Sequence, residues 1–438
     1  MVAWRSLPQE FRLRLRFLHA ADLHLDTPFR GLARHEPDLA GVLRDASLDA
    51  FDTLVDTALR EKVTFCVFAG DIYDGVSRGV RAQLRFRDGL ARLSQAGVAS
   101  FVVHGNHDPT DGWSSIDSWP DLVHHFGPHR VGSRPVVCDG RTVATVSGIS
   151  FATRHEDRNL AAMFPPVEGP GLHVALLHTH LRGVAGGSDH GRYAAAGPDD
   201  LTNAGYHYWA LGHIHTRSTI PLGAGTMAVY PGNLQGRGFR SSETGPKGVV
   251  IVEFDPDAPQ QLRPGDVSFR ACDRVRFETV TLDCGGSEGV TMDLLADRLT
   301  EAAARSPEDR LRIIRGTVVG GGPVHDLLAP PGRLEELTEA LRDRARRAAD
   351  HLHWDRVEDL TAAGIDIAAL REGDDIVSDL VSMVDHRVAS PDPIAGLPLP
   401  EPPPSLRALK PAGEAAADRD LIITARDLAL EILLDRFR

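Results

Sequence analysis

Lysine is almost missing from this chain. Of 438 residues only Lys62, Lys247 and Lys410 are lysines, although Lys and Arg together number 48 and Asp and Glu 61. The positive charge is therefore nearly all arginine, which suits bidentate phosphate contacts and equally follows from a GC-rich coding sequence. The formal net charge of −13 argues against indiscriminate coating of nucleic acid by charge alone, and leaves a local basic surface open. Cysteine is scarce too. Cys66, Cys138, Cys272 and Cys284 share no metal-ligand spacing, and Cys66 sits in an apolar run as a core thiol does. A reduced, cytoplasmic protein without disulfides is expected. No run of about 18 apolar residues occurs, so no membrane span is expected. Residues 1–15 are expected to be an N-terminal extension. Arg12-Leu13-Arg14-Leu15-Arg16 alternates charge and leucine, without the apolar core or small-residue cleavage site of a secretory signal.

What is present is ordinary globular composition, 42% hydrophobic and 25% charged, in a chain too long for one ordinary domain. Phe17 to Ala21 reads as a short buried strand, Leu48 to Lys62 as a helix and Thr64 to Phe68 as a strand. Val80 to Gln95 reads as a helix closed by Gly97, and Phe101 to Val103 as a third strand. That β-α-β-α-β run predicts a parallel sheet flanked by helices. Five further strands follow with less helix between them, at Val143–Ile149, Val174–Leu177, Tyr208–Leu211, Met227–Tyr230 and Gly248–Phe254. A layered α/β/β/α sandwich over residues 16–256 accommodates both halves. Beyond the turn-rich stretch from Pro256 to Pro264, a strand-helix-strand-helix pattern fits a small α+β domain over 265–350. Residues 351–390 are expected to be helical, with Ile376, Leu380, Met383 and Val384 on one face, and 391–413 to form a stiff proline-rich linker. A C-terminal amphipathic helix over 414–438 completes the chain, with Leu421, Ala425, Leu428 and Ile432 as its apolar stripe.

Five polar clusters each follow a predicted strand. They are Asp22-x-His24, Gly70-Asp71, Gly105-Asn106-His107-Asp108, His178 and Gly212-His213-x-His215. Any one is weak. The Gly105 to Asp108 stretch alone reads equally well as an Asx-type turn. Together they place carboxylates, imidazoles and one amide oxygen at strand ends, where ligands sit in open α/β sheets. This mixed nitrogen and oxygen set suits Mn, Fe or Zn better than Ca or Mg, and no thiolate pulls it toward a structural zinc. There are more ligands than one metal needs. Two ions about 3.5–4 Å apart, bridged by a shared carboxylate, form a phosphoester-cleaving clamp. For the remaining polar residues the plain readings weigh more. His19 and His104 read as core or strand-end histidines, His180 as a solvated or supporting ring, and Asp26 and Asp74 as turn residues or ligand-orienting carboxylates.

The five clusters resemble those of the calcineurin-like metallophosphoesterases. Within that superfamily the chain is similar to the SbcD-type DNA repair exonucleases, and to their bacterial YhaO-type branch. The pointers are Leu18-His19-Ala20-Ala21-Asp22-Leu23-His24-Leu25-Asp26, Arg81-Ala82-Gln83-Leu84-Arg85-Phe86 and Tyr230-Pro231-Gly232-Asn233-Leu234-Gln235-Gly236. The resemblance covers about residues 16–254. It implies one ion held by Asp22, His24, Asp71 and His215, and a second by Asp71, Asn106, His178 and His213, with Asp71 bridging. Two divalent metals are implied, manganese first, iron or zinc next. His107 is implied to stay off the metals as a general acid, with Asp108 orienting its ring. Arg237 and Arg240 follow a loop whose family counterpart lies near the site, which implies phosphate contact. The domain over 265–350 would match a cap that guides DNA, and the helices after it would attach to the coiled-coil base of an SMC-like ATPase. The implied function is a Mn-dependent DNA repair nuclease subunit, exonuclease or endonuclease, with DNA and that ATPase as partners and a homodimer as a further option. Two other readings stand beside it: a phosphodiesterase or phosphatase for small phosphoesters or phosphoproteins, and a non-catalytic scaffold for DNA ends. The full ligand set disfavours the scaffold.

Overall fold

The computed structural model describes residues 14–29, 37–75, 79–183, 193–223, 225–285, 289–304, 310–348, 351–362, 367–392, 394, 397 and 415–435. All of the expected N-terminal extension but Arg14 and Leu15, and most of the expected linker, lie outside these residues. The chain divides into two compact units. The first comprises Met1–Thr279, Glu308–Ile314 and His351–Asp355, and the second Val280–Pro307, Arg315–Asp350 and Arg356–Arg438.

The first unit is built on two six-stranded sheets. β1 (Leu15–Ala20), β2 (Phe65–Ala69) and β3 (Ala99–Val103) run parallel, joined by α1 (Pro37–Arg60) and α2 (Val80–Gln95). β4 (Val123–His125) extends the parallel side, and the antiparallel β11 (Gly248–Phe254) and β12 (Val267–Ala271) the other, giving the order β12-β11-β1-β2-β3-β4. The second sheet contains β5 (Gly132–Cys138), β6 (Arg141–Ile149), β7 (Leu172–His178), β8 (Tyr208–Gly212), β9 (Ser218–Gly223) and β10 (Thr226–Tyr230) in the order β5-β6-β7-β8-β10-β9. Its four central strands are parallel, and β5 and β9 are antiparallel edges.

The strands buried on both faces are the ones that read as continuous apolar runs. One face of the first sheet packs Leu18, Phe68 and Val102 against Phe51, Leu54, Phe86 and Leu90 of α1 and α2. Its other face meets the second sheet through an aromatic core. Phe17 stacks on Phe65 at 4.8 Å and meets Tyr208 edge-on at 5.1 Å. Outside the second sheet, Trp209, Leu211 and Tyr230 are covered by Leu160, Phe164 and Leu201. This outer layer is made of loop, a 3₁₀ turn at Ala161–Met163 and the short α3 (Pro198–Thr202). Residues 267–271 complete the first sheet as β12 rather than opening the small domain expected from 265.

A three-stranded sheet, in the order β13 (Val275–Asp283), β14 (Leu311–Gly321), β15 (Leu352–Ala362), contributes residues to both units. β15 corrects the helical reading of 351–390 at its start. Leu352–Ala362 carries Asp355, Arg356, Glu358 and Asp359, with Trp354 and Val357 buried on opposite faces. In the second unit lie α4 (Met292–Ala303), α5 (Pro323–Leu328) and α6 (Arg333–Ala348), with Leu295, Leu299, Leu337 and Leu341 buried. Then come α7 (Ile367–Arg371), α8 (Ile376–Val388) and α9 (Ala415–Asp435). Asp375 caps α8 by accepting from Val377 and Ser378 N–H. Leu430 of α9 is buried against Val377 and Val381 of α8. The expected stripe is turned the other way. Leu421 and Leu428 are 55% and 57% exposed and Ile422 is buried, while on α8 Ile376 and Met383 are exposed. The Ile432 side chain lies outside the described residues. Among the described residues no helix is long and apolar enough to cross a membrane.

Candidate metal centre

All seven expected ligands stand at carboxyl ends of parallel strands. Asp22 and His24 follow β1, Asp71 follows β2 and Asn106 follows β3. His178 ends β7, and His213 and His215 follow β8. Each sheet thus brings its ligands to the same edge of the sandwich. The turns that carry them are sharp. Asp22, His24, Asp71 and His213 have φ of 51°, 44°, 52° and 103°, a region that costs a residue with a Cβ about 1–3 kcal/mol. Crossing hydrogen bonds hold these turns: Asp22 N–H donates to Gly70 O at 3.1 Å, His24 N–H to Asp71 O at 3.0 Å and Leu25 N–H to Ile72 O at 2.9 Å. Gly105 is required by close approach, since a Cβ there would lie 2.4 Å from Asp71 Oδ1 and 2.8 Å from the His178 ring.

The ligand atoms converge as acceptors. Asp71 Oδ2 lies 3.5 Å from His178 Nε2 and 3.9 Å from His24 Nε2. Asn106 Oδ1 lies 3.0 Å from His178 Nε2, and the Nε2 atoms of His24 and His215 face each other at 3.3 Å. His178 Nδ1 is 2.9 Å from Ala69 O, so this nitrogen carries the proton and Nε2 keeps its lone pair. Asp22, His24 and His215 form one group spaced to hold a cation, Asp22, Asp71 and His178 a second, and His24, Asp74 and His107 a third. Burial raises the Asp22 carboxyl well above its ordinary range and the charge of Asp71 adds to this, against two N–H···O contacts from His213 at 3.1 and 3.0 Å. Buried carboxylates and ring lone pairs gathered with few donors between them are what a divalent cation neutralises, so the residues fit a two-metal site. His213 reaches the same cleft, with its ring 5.3 Å from that of His178, but belongs to none of these groups.

The cleft, of about 230 Å³, is lined among others by His24, Asp71, Asn106, His107, Arg154 and Arg237. The role expected of Asp108 falls to another residue. His107 Nδ1 pairs with Asp74 Oδ1 at 2.7 Å, and Asp74 was equally readable as a turn residue. Burial opposes the charged form of His107, but Asp74 and the charge of Asp71 outweigh it and raise its pKa. The same hydrogen bond brings Asp74 down to about 2. Asp108 is fully buried and serves the backbone instead. It accepts from Asp71, Ile72 and Gly105 N–H and pairs with His104 Nδ1.

Arg237 lines the cleft, 3.6 Å from Asp74 Oδ2. Arg240 is exposed, is not part of the lining, and has its carbonyl capping the turn to Glu243 and Thr244. Asp26 faces Arg81 at 3.6 Å away from the cleft, and His19 is buried against the Tyr208 hydroxyl at 3.0 Å. His180 is buried with its ring 6.2 Å from that of His213. Three residues here carried no sequence signal. Arg154 and Tyr193 line the cleft, and Glu243 receives His215 Nδ1 at 2.6 Å. Burial would raise the Glu243 carboxyl. Its bond to His215 and the charges of His215, Arg237 and Lys247 outweigh that and bring it to about 2.

A family description, the calcineurin-like phosphoesterases, matches residues 15–217. In Bacillus subtilis, the uncharacterized metallophosphoesterase YhaO is 32% identical over 335 residues, 75% of this chain and 78% of that protein. The chain belongs to the calcineurin-like phosphoesterases. As a calcineurin-like phosphoesterase it is a metal-dependent phosphoester hydrolase, and the family uses divalent metals. It is also similar to proteins named DNA double-strand break repair protein Mre11. The one from Haloferax volcanii is 29% identical over 63% of this chain, and the match spans little more than half, 56%, of that protein. The one from Halobacterium salinarum is 26% identical over 84% of each chain.

Proposed function

We propose that this hydrolase is the nuclease subunit of a cytoplasmic DNA repair assembly, cleaving phosphodiesters with two divalent ions, manganese first among them, beside an SMC-like coiled-coil ATPase. The observation that carries the reading is the convergence, from two sheets, of carboxylates, ring nitrogens and one amide oxygen on a cleft that also holds His107 and Arg237. The relatives named for double-strand break repair favour DNA over small esters as substrate. Asp22, His24, Asp71 and His215 would hold one ion, and Asp71, Asn106, His178 and His213 the other. Bound there, the ions supply an activated water and neutralise charge on the phosphate. His107, held at Nδ1 by Asp74, has its other ring nitrogen left to give a proton to the leaving oxygen. Arg237 would bind a phosphate oxygen.

Residues 265–350 are assigned the role of the family's cap, and α8 and α9 that of the ATPase attachment. Exposed Ile376, Met383, Leu421 and Leu428 on α8 and α9 support this, because apolar side chains of that size gain from a partner's groove. The test compares manganese-dependent degradation of a DNA duplex with hydrolysis of a bis-aryl phosphodiester. Both are expected. Diester hydrolysis without DNA cleavage would move the substrate to small phosphoesters.

A further inference from the structure

Glu243 belongs to none of the motifs read from the sequence, yet both of its oxygens are used inside the site. Oε1 meets His215 Nδ1 at 2.6 Å, and Oε2 accepts from Asn233 Nδ2 and from Arg237 N–H, each at 3.0 Å. Glu243 is 8% exposed, and its backbone N–H donates to Arg240 O at 2.8 Å. Four residues on, Lys247 Nζ donates to His215 O at 3.1 Å and to Ser242 O. One histidine is thus gripped at its ring by a buried anion and at its carbonyl by a buried cation.

We infer that Glu243 is a positioning residue: held in place by Asn233 and the Arg237 backbone, it fixes the His215 proton on Nδ1 so that Nε2 faces the metal centre as a lone pair. The inference rests on the metal-centre reading above. An ionised carboxylate only accepts, so the ring nitrogen beside it must carry a proton. The nitrogen left over is Nε2, which lies 3.3 Å from His24 Nε2. A glutamine in the same place has one acceptor. If its oxygen keeps the Asn233 and Arg237 donors, its NH₂ faces Nδ1, the ring proton moves to Nε2, and the ligand is lost. Carboxylate partners of metal-bound histidines generally act in this way.

The experiment is calorimetric titration of the metal-free full-length protein with Mn²⁺. E243Q is expected to weaken one of the two ions about 10–100-fold, the usual cost of losing such a partner. N233A removes one of the two donors that hold Glu243 but leaves the carboxylate on His215, and is expected to weaken that ion by less than E243Q does. E243Q with parental affinity for both ions would overturn the inference, as would N233A weakening the ion as much as E243Q. Histidine-selective ¹⁵N NMR of the unsubstituted protein gives a second readout independent of the folding of any variant. It is expected to show His215 protonated at Nδ1, and protonation at Nε2 would overturn the assignment. H215A retaining both ions at full affinity would instead refute the ligand set itself.

Discussion

Replacing Asp108 separates chemistry from architecture. Its side chain has no exposed surface and accepts from three backbone N–H groups, those of Asp71 at 3.1 Å, Ile72 at 3.0 Å and Gly105 at 2.8 Å. Asp108→Ala leaves all three donors buried beside a small cavity. At the low end of about 1 kcal/mol for each abandoned buried donor, the loss is about 3 kcal/mol. For a unit of this size that lowers the melting midpoint by about 5 °C. Asp108→Asn keeps one acceptor oxygen and should lose less. The assay is differential scanning calorimetry in excess chelator, so that bound metal does not contribute to the midpoint. A midpoint within a degree or two of the parent, together with collapsed turnover, would refute the reasoning and return Asp108 to the proton-transfer machinery.

Asp71→Ala removes the carboxylate whose Oδ2 stands between the His24 and His178 rings. Both ions are expected to be lost in elemental analysis, and two manganese per chain would defeat the bridging assignment. Asp74→Asn removes the hydrogen bond and charge that do most to oppose burial at His107, leaving the charge of Asp71 alone against it, so the His107 pKa falls. An acid must be protonated to act, so the alkaline limb of the pH–rate profile is expected to move to lower pH, and an unmoved limb would take His107 out of the proton step. Deleting residues 391–438 is expected to leave metal binding and small-diester hydrolysis intact and to abolish co-purification of the ATPase. Retained partner would leave α9 as internal packing.

The central strands and the polar residues at their ends were legible because parallel strands buried on both faces are apolar runs, and each of those polar residues closely follows its run. Leu176-Leu177-His178 and Ala210-Leu211-Gly212-His213 are of this kind. The strands missed are mostly edges. β5, β9 and β12 keep one side open to water, so Arg134, Ser218 or Arg270 interrupts the pattern. β15 hid behind its charges. In the site, what could not be read is who supports whom. Asp108 follows His107 in sequence, yet its turn aims it at the backbone of a neighbouring strand end, while Asp74 arrives from another loop. Glu243 lies 28 residues from the histidine it serves, and no local spacing encodes that meeting.

The seam between the two sheets has a practical consequence. Asp22, His24, Asp71 and Asn106 ride on one sheet, and His178, His213 and His215 on the other. The two halves of the expected ligand set are joined by the packing of Phe17, Phe65 and Tyr208 between the sheets and, at the cleft, by His213 N–H to Asp22 and His178 Nδ1 to Ala69 O. An ion gripped from both sides acts as a rivet across that seam. Metal retention and resistance to heat are then two gauges of one joint. A variant library screened only for holding manganese against a chelator should return aromatic-core substitutions as readily as substitutions beside the metal.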